Sequence, residues 1–141
     1  MPAAAREPPS DAYSRTTRDI RVVVRPRFVP EQSDPDRGRF VWAYHVRIEN
    51  LGGETVQLLA RHWLITDGLG RVEEVRGPGV VGEKPVLKGG ESYEYASACP
   101  LATESGAMEG SYSMIAGDGT TFEAAIPAFS LHRPEAARRP N

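Results

Sequence analysis

Between residues 40 and 48 every second position is large and apolar: Phe40, Trp42, Tyr44, Val46 and Ile48. Val41, Ala43, His45, Arg47 and Glu49 alternate with them. Successive side chains of an extended strand point to opposite faces, so this stretch presents one continuous apolar face at period two. Wrapped as a helix, the same residues would be scattered around the axis. The segment is predicted to be a strand with one face in a core. A lone strand cannot bury that face, so the rest of the chain must supply a partner sheet.

The remaining pattern agrees. Ile20, Val22 and Val24 alternate with Arg21, Val23 and Arg25 before Pro26, which suits an edge strand or a bulge. Pro30 to Gly38 is a polar, turn-rich loop. Val56 to Thr66 reads as a long strand with apolar residues on both faces, as though buried on both sides for part of its length. Asp67-Gly68 and Leu69-Gly70 signal a hairpin into a short strand at Arg71 to Arg76. In Ser92 to Cys99, Tyr93, Tyr95, Ser97 and Cys99 share a face, and Pro100 to Ala107 follows as a loop. Gly110 to Ala116 and Thr120 to Ile126 flank a second hairpin signal at Gly117-Asp118-Gly119. Pro127 makes a break, after which Phe129 to Leu131 adds a last short strand. The prediction is all-β: an immunoglobulin or fibronectin type III-like antiparallel β-sandwich of about seven strands, with a small barrel as the alternative. The paired cysteines of antibody domains are absent.

The chain has 141 residues, which suits one domain able to bury a core without staples. Residues 1–18 are polar and Pro-rich and read as a flexible N-terminal arm, residues 19–132 as the domain, and residues 133–141 as a flexible C-terminal tail. The net charge is −2, with both signs mixed along the chain, which argues against nucleic acid as a partner. The one cysteine, Cys99, excludes an internal disulfide and reads as a small buried hydrophobe. No apolar run is long enough for a membrane-spanning helix, and no apolar signal core follows Met1, so a cytoplasmic location is expected.

Chemistry is sparser. Gly77-Pro78-Gly79-Val80-Val81-Gly82 spells G-x-G-x-x-G, the dinucleotide-binding pattern. Pro85 and the pair Gly89-Gly90 deny it the helix whose N-terminus would hold a pyrophosphate. Two readings remain for this loop. Successive backbone N–H groups of Gly77, Gly79 and Gly82, with Arg76 beside them, form an anion nest. In the other, the glycines only permit positive φ in a tight connection. His45 and His62 fall on candidate neighbouring strands, where they could meet, but with His132 they make no metal motif. Asp67, Glu73 and Glu74 are carboxylates of a hairpin, and adjacent Glu73 and Glu74 point to opposite faces. There is no G-x-S-x-G. No catalytic residue, metal ligand or cofactor is expected.

The stretches His62-Trp63-Leu64-Ile65-Thr66-Asp67-Gly68 and Glu74 to Gly82 closely resemble the ApaG family. The similarity continues through Gly90-Glu91-Ser92-Tyr93-Glu94-Tyr95 and Gly106 to Met114, and ends at Phe122 and Ile126-Pro127-Ala128-Phe129. It covers about residues 19 to 132. The resemblance implies a fibronectin type III-like sandwich in a bacterial cytoplasmic protein linked by name to cobalt and magnesium homeostasis. It also implies an association with the enzyme that hydrolyses dinucleoside tetraphosphates, and use as an interaction module inside larger proteins. The family's glycine motif, here Gly77, Gly79 and Gly82, has been proposed to bind diphosphate. The functional expectation is a non-enzymatic module for a partner protein. The alternative is a small-ligand binder holding pyrophosphate or a nucleotide at residues 77–82.

Overall fold

The computed structural model describes residues 12–134. The alternation at Phe40–Asn50 forms β3, an interior strand whose even positions are buried and whose odd positions, up to Arg47, face outward. It lies in an antiparallel sheet of order β1-β2-β3-β7, with β1 at Tyr13–Thr17, β2 at Ile20–Phe28 and β7 at Ser92–Leu101. The second antiparallel sheet has the order β5-β4-β8-β9. Its strands are β4 (Val56–Asp67), β5 (Val72–Pro78), β8 (Ser105–Ala116) and β9 (Thr121–His132), and a short β6 (Val86–Leu87) also pairs with β4. The two sheets face each other over one apolar core, as the alternation requires.

The described residues hold nine strands where the sequence suggests about seven. Tyr13–Thr17, read as part of a flexible arm, is a strand in register with β2, and Tyr13 stacks on Phe129 across the core. Residues 1–11 and 135–141, the rest of the two expected tails, lie outside the described residues. Leu101 extends β7 and Ser105 opens β8, so most of the loop expected at Pro100 to Ala107 is strand. Pro26 sits within β2 rather than ending it, just past Val24, where the pairing with β1 stops.

Two register slips explain the segments that the period-two reading misjudged. In β4, Leu58 pairs with Met114 but Ala60 pairs with Ser113, so Leu59 is an extra residue. A bulge of one residue exchanges the faces of everything beyond it. Val56 and Leu58 point inward before the slip, and Arg61, Trp63 and Ile65 after it. Its buried residues Val56, Leu58 and Trp63 thus all lie on the inner face. In β9 the slip falls at Pro127 and Ala128: Ile126 pairs with Gly110 and Phe129 with Met108. Ala124 and Ile126 point inward before it, Phe129 and Leu131 after it. Phe129 to Leu131 is thus the continuation of β9, not a separate strand.

The outward face of the first sheet carries a charge ladder. Glu49, 8% exposed, accepts from Arg21 Nε at 2.5 Å and from Arg47 Nε at 3.0 Å. Arg47 also bonds Glu94 at 2.6 Å, and His45 Nε2 meets the same carboxylate at 2.8 Å. Burial alone would raise the Glu49 carboxyl, but the two guanidinium bonds outweigh it and hold it below the usual carboxylate range. A depressed folded-state pKa stabilises the fold above the unfolded value and stops doing so as pH falls through the folded one. At neutral pH we expect Glu49→Gln to cost about 1–3 kcal/mol. Between about pH 5 and pH 3 its melting temperature should fall less than that of the wild-type chain. Parallel acid slopes for the two proteins in calorimetry would contradict this assignment.

Candidate functional site

The slip at Leu59 turns Arg61 into the sandwich, directly opposite Gly77 of β5. Its guanidinium donates to the carbonyls of Pro78 at 2.9 Å and Gly79 at 3.1 Å. A Cβ on Gly77 would lie 2.8 Å from that guanidinium, so glycine is what lets Arg61 lie flat against β5. Gly79 has φ +60°, and a Cβ there would meet the Glu83 carbonyl oxygen at 2.3 Å. Val80 and Glu83 exchange both N–H···O bonds at 2.8 Å. Between them Val81 and Gly82 have φ of 42° and 82°, the signs of a type I′ hairpin turn. The loop thereby seats the Val80 side chain, fully buried, in the core.

This geometry places the four residues singled out in the sequence on two different sides. Gly77 and Gly79 lie along the inward path just described, and Gly82 is exposed at the turn. Arg76 lies on the outer face of the second sheet, with its side chain 70% exposed and bonded to Glu74 at 2.9 Å. His62 completes that outer cluster at 2.6 Å from the same Glu74 oxygen. The His62 bond and the Arg76 charge hold the Glu74 carboxyl below its usual range. In the loop, Gly79 donates its N–H to Leu59, and Val80 and Glu83 donate to each other, while Pro78 has none to offer. His45 and His62, expected as neighbours, sit on separate sheets and face outward.

Elsewhere the reactive side chains are tied up. Cys99 is buried, and burial pushes its thiol up to about 11. Tyr95 and Tyr112 share a hydroxyl hydrogen bond in the core, and desolvation raises both well above a normal phenol. Asp67 closes the β4–β5 hairpin by accepting from the N–H groups of Leu69 and Arg71 and from the Arg71 guanidinium. Among the described residues no three His, Cys, Asp or Glu side chains gather as a metal site, and no helix is long and apolar enough to cross a membrane.

One opening runs along the side where β7 and β5, the outermost strands of their sheets, face each other. Sheet order leaves each with one unpaired edge. Between them lies a cleft of about 320 Å³, floored by Tyr44, Trp63, Val75 and Met108 and flanked by Cys99 and Arg61. A second hollow of about 260 Å³ continues it past Val72, Leu101 and Ala102. The two share Ile65, Glu73 and Pro100, so together they form one groove. Trp63 anchors the floor, with ring centroids 5.4 Å from Tyr44 and 6.1 Å from Phe129. Arg61 and the rim of β7 do not stand out in the sequence. The signal that marks Arg61 is the change of apolar parity within Val56 to Thr66, which betrays the bulge.

An ApaG domain family model matches residues 30–116. The Protein ApaG of Rhodospirillum centenum is 62% identical over 129 residues, covering 92% of this chain and 99% of that protein. The Protein ApaG of Paramagnetospirillum magneticum is 59% identical with the same coverage. A crystal structure of an ApaA protein from Bordetella pertussis superimposes with a TM-score of 0.81 at 49% identity, covering 90% of this chain and 99% of that one.

If the glycines serve the loop's own conformation, Gly79→Ala is a folding substitution and no clean probe of ligand binding. We expect it to lower stability by about 1–3 kcal/mol in denaturant melts. An unchanged midpoint would mean that the loop is free to rearrange.

Proposed function

The chain belongs to the ApaG domain family, and on that premise we propose that it is a non-enzymatic binding module that engages a partner protein through the groove between β5 and β7. The observation that carries this reading is the groove itself, a concave opening between two unpaired strand edges with the nearly buried rings of Tyr44 and Trp63 at its base. Monomeric domains that leave apolar surface in a concave site generally use it for recognition. The side chains around it suit binding better than bond-breaking. The Cys99 thiol is held protonated at neutral pH, and the Tyr44 hydroxyl is hydrogen-bonded to Ser97 with its pKa raised by burial. In cobalt and magnesium homeostasis, the role implied by family resemblance, such a module acts through its partner and does not itself carry ions.

The test is a substitution that fills the groove from a partly buried position at the margin of the core. Val75→Arg should leave the melting temperature within a few degrees of wild type and weaken capture of a saturable partner from native lysate by about tenfold or more. Recovery of the same partners at the same affinity would move the binding surface elsewhere.

The second reading is a phosphate ligand at the glycine loop. Its support is the run of positive φ at Gly79, Val81 and Gly82, with Lys84 following. The prior engagement of the Gly79, Val80 and Glu83 N–H groups makes it the weaker of the two. Titration of the isotope-labelled protein with pyrophosphate, with sulfate as control, separates them. We expect no saturable amide shifts over residues 76–84 at millimolar ligand, and shifts confined there would restore the phosphate site.

A further inference from the structure

The hydrogen-bond phase of the two edge strands shows which of them is open. In an antiparallel pair, only every second residue exchanges N–H···O bonds with the neighbour, and the others aim theirs at the opposite edge. Asn50 donates to the Glu91 carbonyl, so in β7 the odd-numbered residues bond β3. Glu94, Ala96 and Ala98 therefore present N–H and C=O groups to the open edge. Pro100 falls in the same phase, where a missing N–H costs the ladder nothing. In β5 the bonds from Gly79 to Leu59 and from Asp67 to Arg71 fix the same phase, and the open positions are Val72, Glu74, Arg76 and Pro78.

The two edges differ in what guards them. β5 carries Glu73, Glu74 and Arg76 in seven residues, the charged kind of edge that repels strand pairing. The stretch Ala96-Ser97-Ala98-Cys99 of β7 has only small uncharged side chains and exposes both alanines. Beside it runs the groove, whose two hollows meet at Glu73. Glu73 points inward and is solvent-exposed, and among the described residues it has no cationic partner.

The geometry points to β7 as the docking edge for an extended segment of a partner protein with the pattern apolar–x–Lys/Arg–x–apolar. This rests on the groove being the binding surface. A strand added to β7 continues the first sheet, with backbone bonds to Glu94, Ala96 and Ala98. Its alternate side chains, roughly 6.8 Å apart, face the groove: one apolar residue in each hollow and the cation between them at Glu73. A second copy of this chain fits less well. The β7 sequence SYEYASACPL has no basic residue, so β7 paired with β7 brings no cation to Glu73.

The experiment is selection of random decapeptides displayed on phage against the immobilised full chain, followed by titration of the isotope-labelled protein with the enriched peptide. The expected peptides carry Lys or Arg with an apolar residue two positions to either side, and shift the amides of Ala96 and Ala98. Ala98→Pro removes an edge N–H without touching the β3 ladder and should abolish binding. Glu73→Lys, at an exposed position, keeps the test open should the proline variant unfold. It should weaken binding about five- to tenfold and regain it with the peptide's Lys or Arg changed to Glu. Four results would overturn the inference: no enrichment over a blank surface, peptides without the basic centre, shifts away from β7, or self-association removed by Ala98→Pro. If one of these came with partner capture that Val75→Arg still disrupts, strand addition would fall while the binding module stood. If that capture were also indifferent to Val75→Arg, both would fall.

Discussion

One extra residue, Leu59, decides which way the far half of β4 faces. Without the slip, His62 and Leu64 would point into the core, and Arg61, Trp63 and Ile65 to solvent. With it, Trp63 reaches the aromatic contacts with Tyr44, Tyr112 and Phe129 that join the two sheets. Arg61 is turned under the glycine loop by the same slip. A bulge is often regarded as a local irregularity, but here the exchange of faces propagates for eight residues and sets both the core and the floor of the groove.

The glycine loop is downstream of that event. Arg61 needs a flat backbone opposite, which Gly77 provides, and its two bonds orient the carbonyls of Pro78 and Gly79. The chain then reverses through Val81 and Gly82 and drives Val80 into the core. The sequence motif thus corresponds to three distinct steric needs: room for a guanidinium, approach to a carbonyl, and a left-handed turn position. A phosphate-binding loop needs backbone free of Cβ atoms for a related reason, the close approach of its ligand.

The outer and inner faces of the sandwich divide the labour of charge. Outward charges such as Glu49, Arg47, Glu94, Glu74 and Arg76 are paired along their own strands and across to neighbouring ones. The opening between β7 and β5 is different. It sets an aromatic floor beside an edge of small side chains and places a single exposed carboxylate midway. On the binding-module reading proposed above, such a site recognises shape and backbone.

Much of this was legible from residue order. Period-two alternation at residues 40–48 and the shared face of Tyr93, Tyr95, Ser97 and Cys99 specify strands and their buried sides, because the pleat imposes that period whatever the fold. The hairpins at Asp67 to Gly70 and Gly117 to Gly119 follow from turn chemistry, and family resemblance follows from dense local motifs. Sequence alone also separates Glu73 from Glu74, since neighbours on a strand must face apart. What it does not contain is the partner of each strand. His45 and His62 could meet if their consecutive strands were paired, yet β3 and β4 lie in different sheets. The β4 bulge, the strand status of Tyr13–Thr17, the insertion of Arg61 and the open edge of β7 all depend on pairing between residues far apart in the chain. Only the packed sandwich decides those, because a register is chosen by the total apolar surface it buries and not by any single segment.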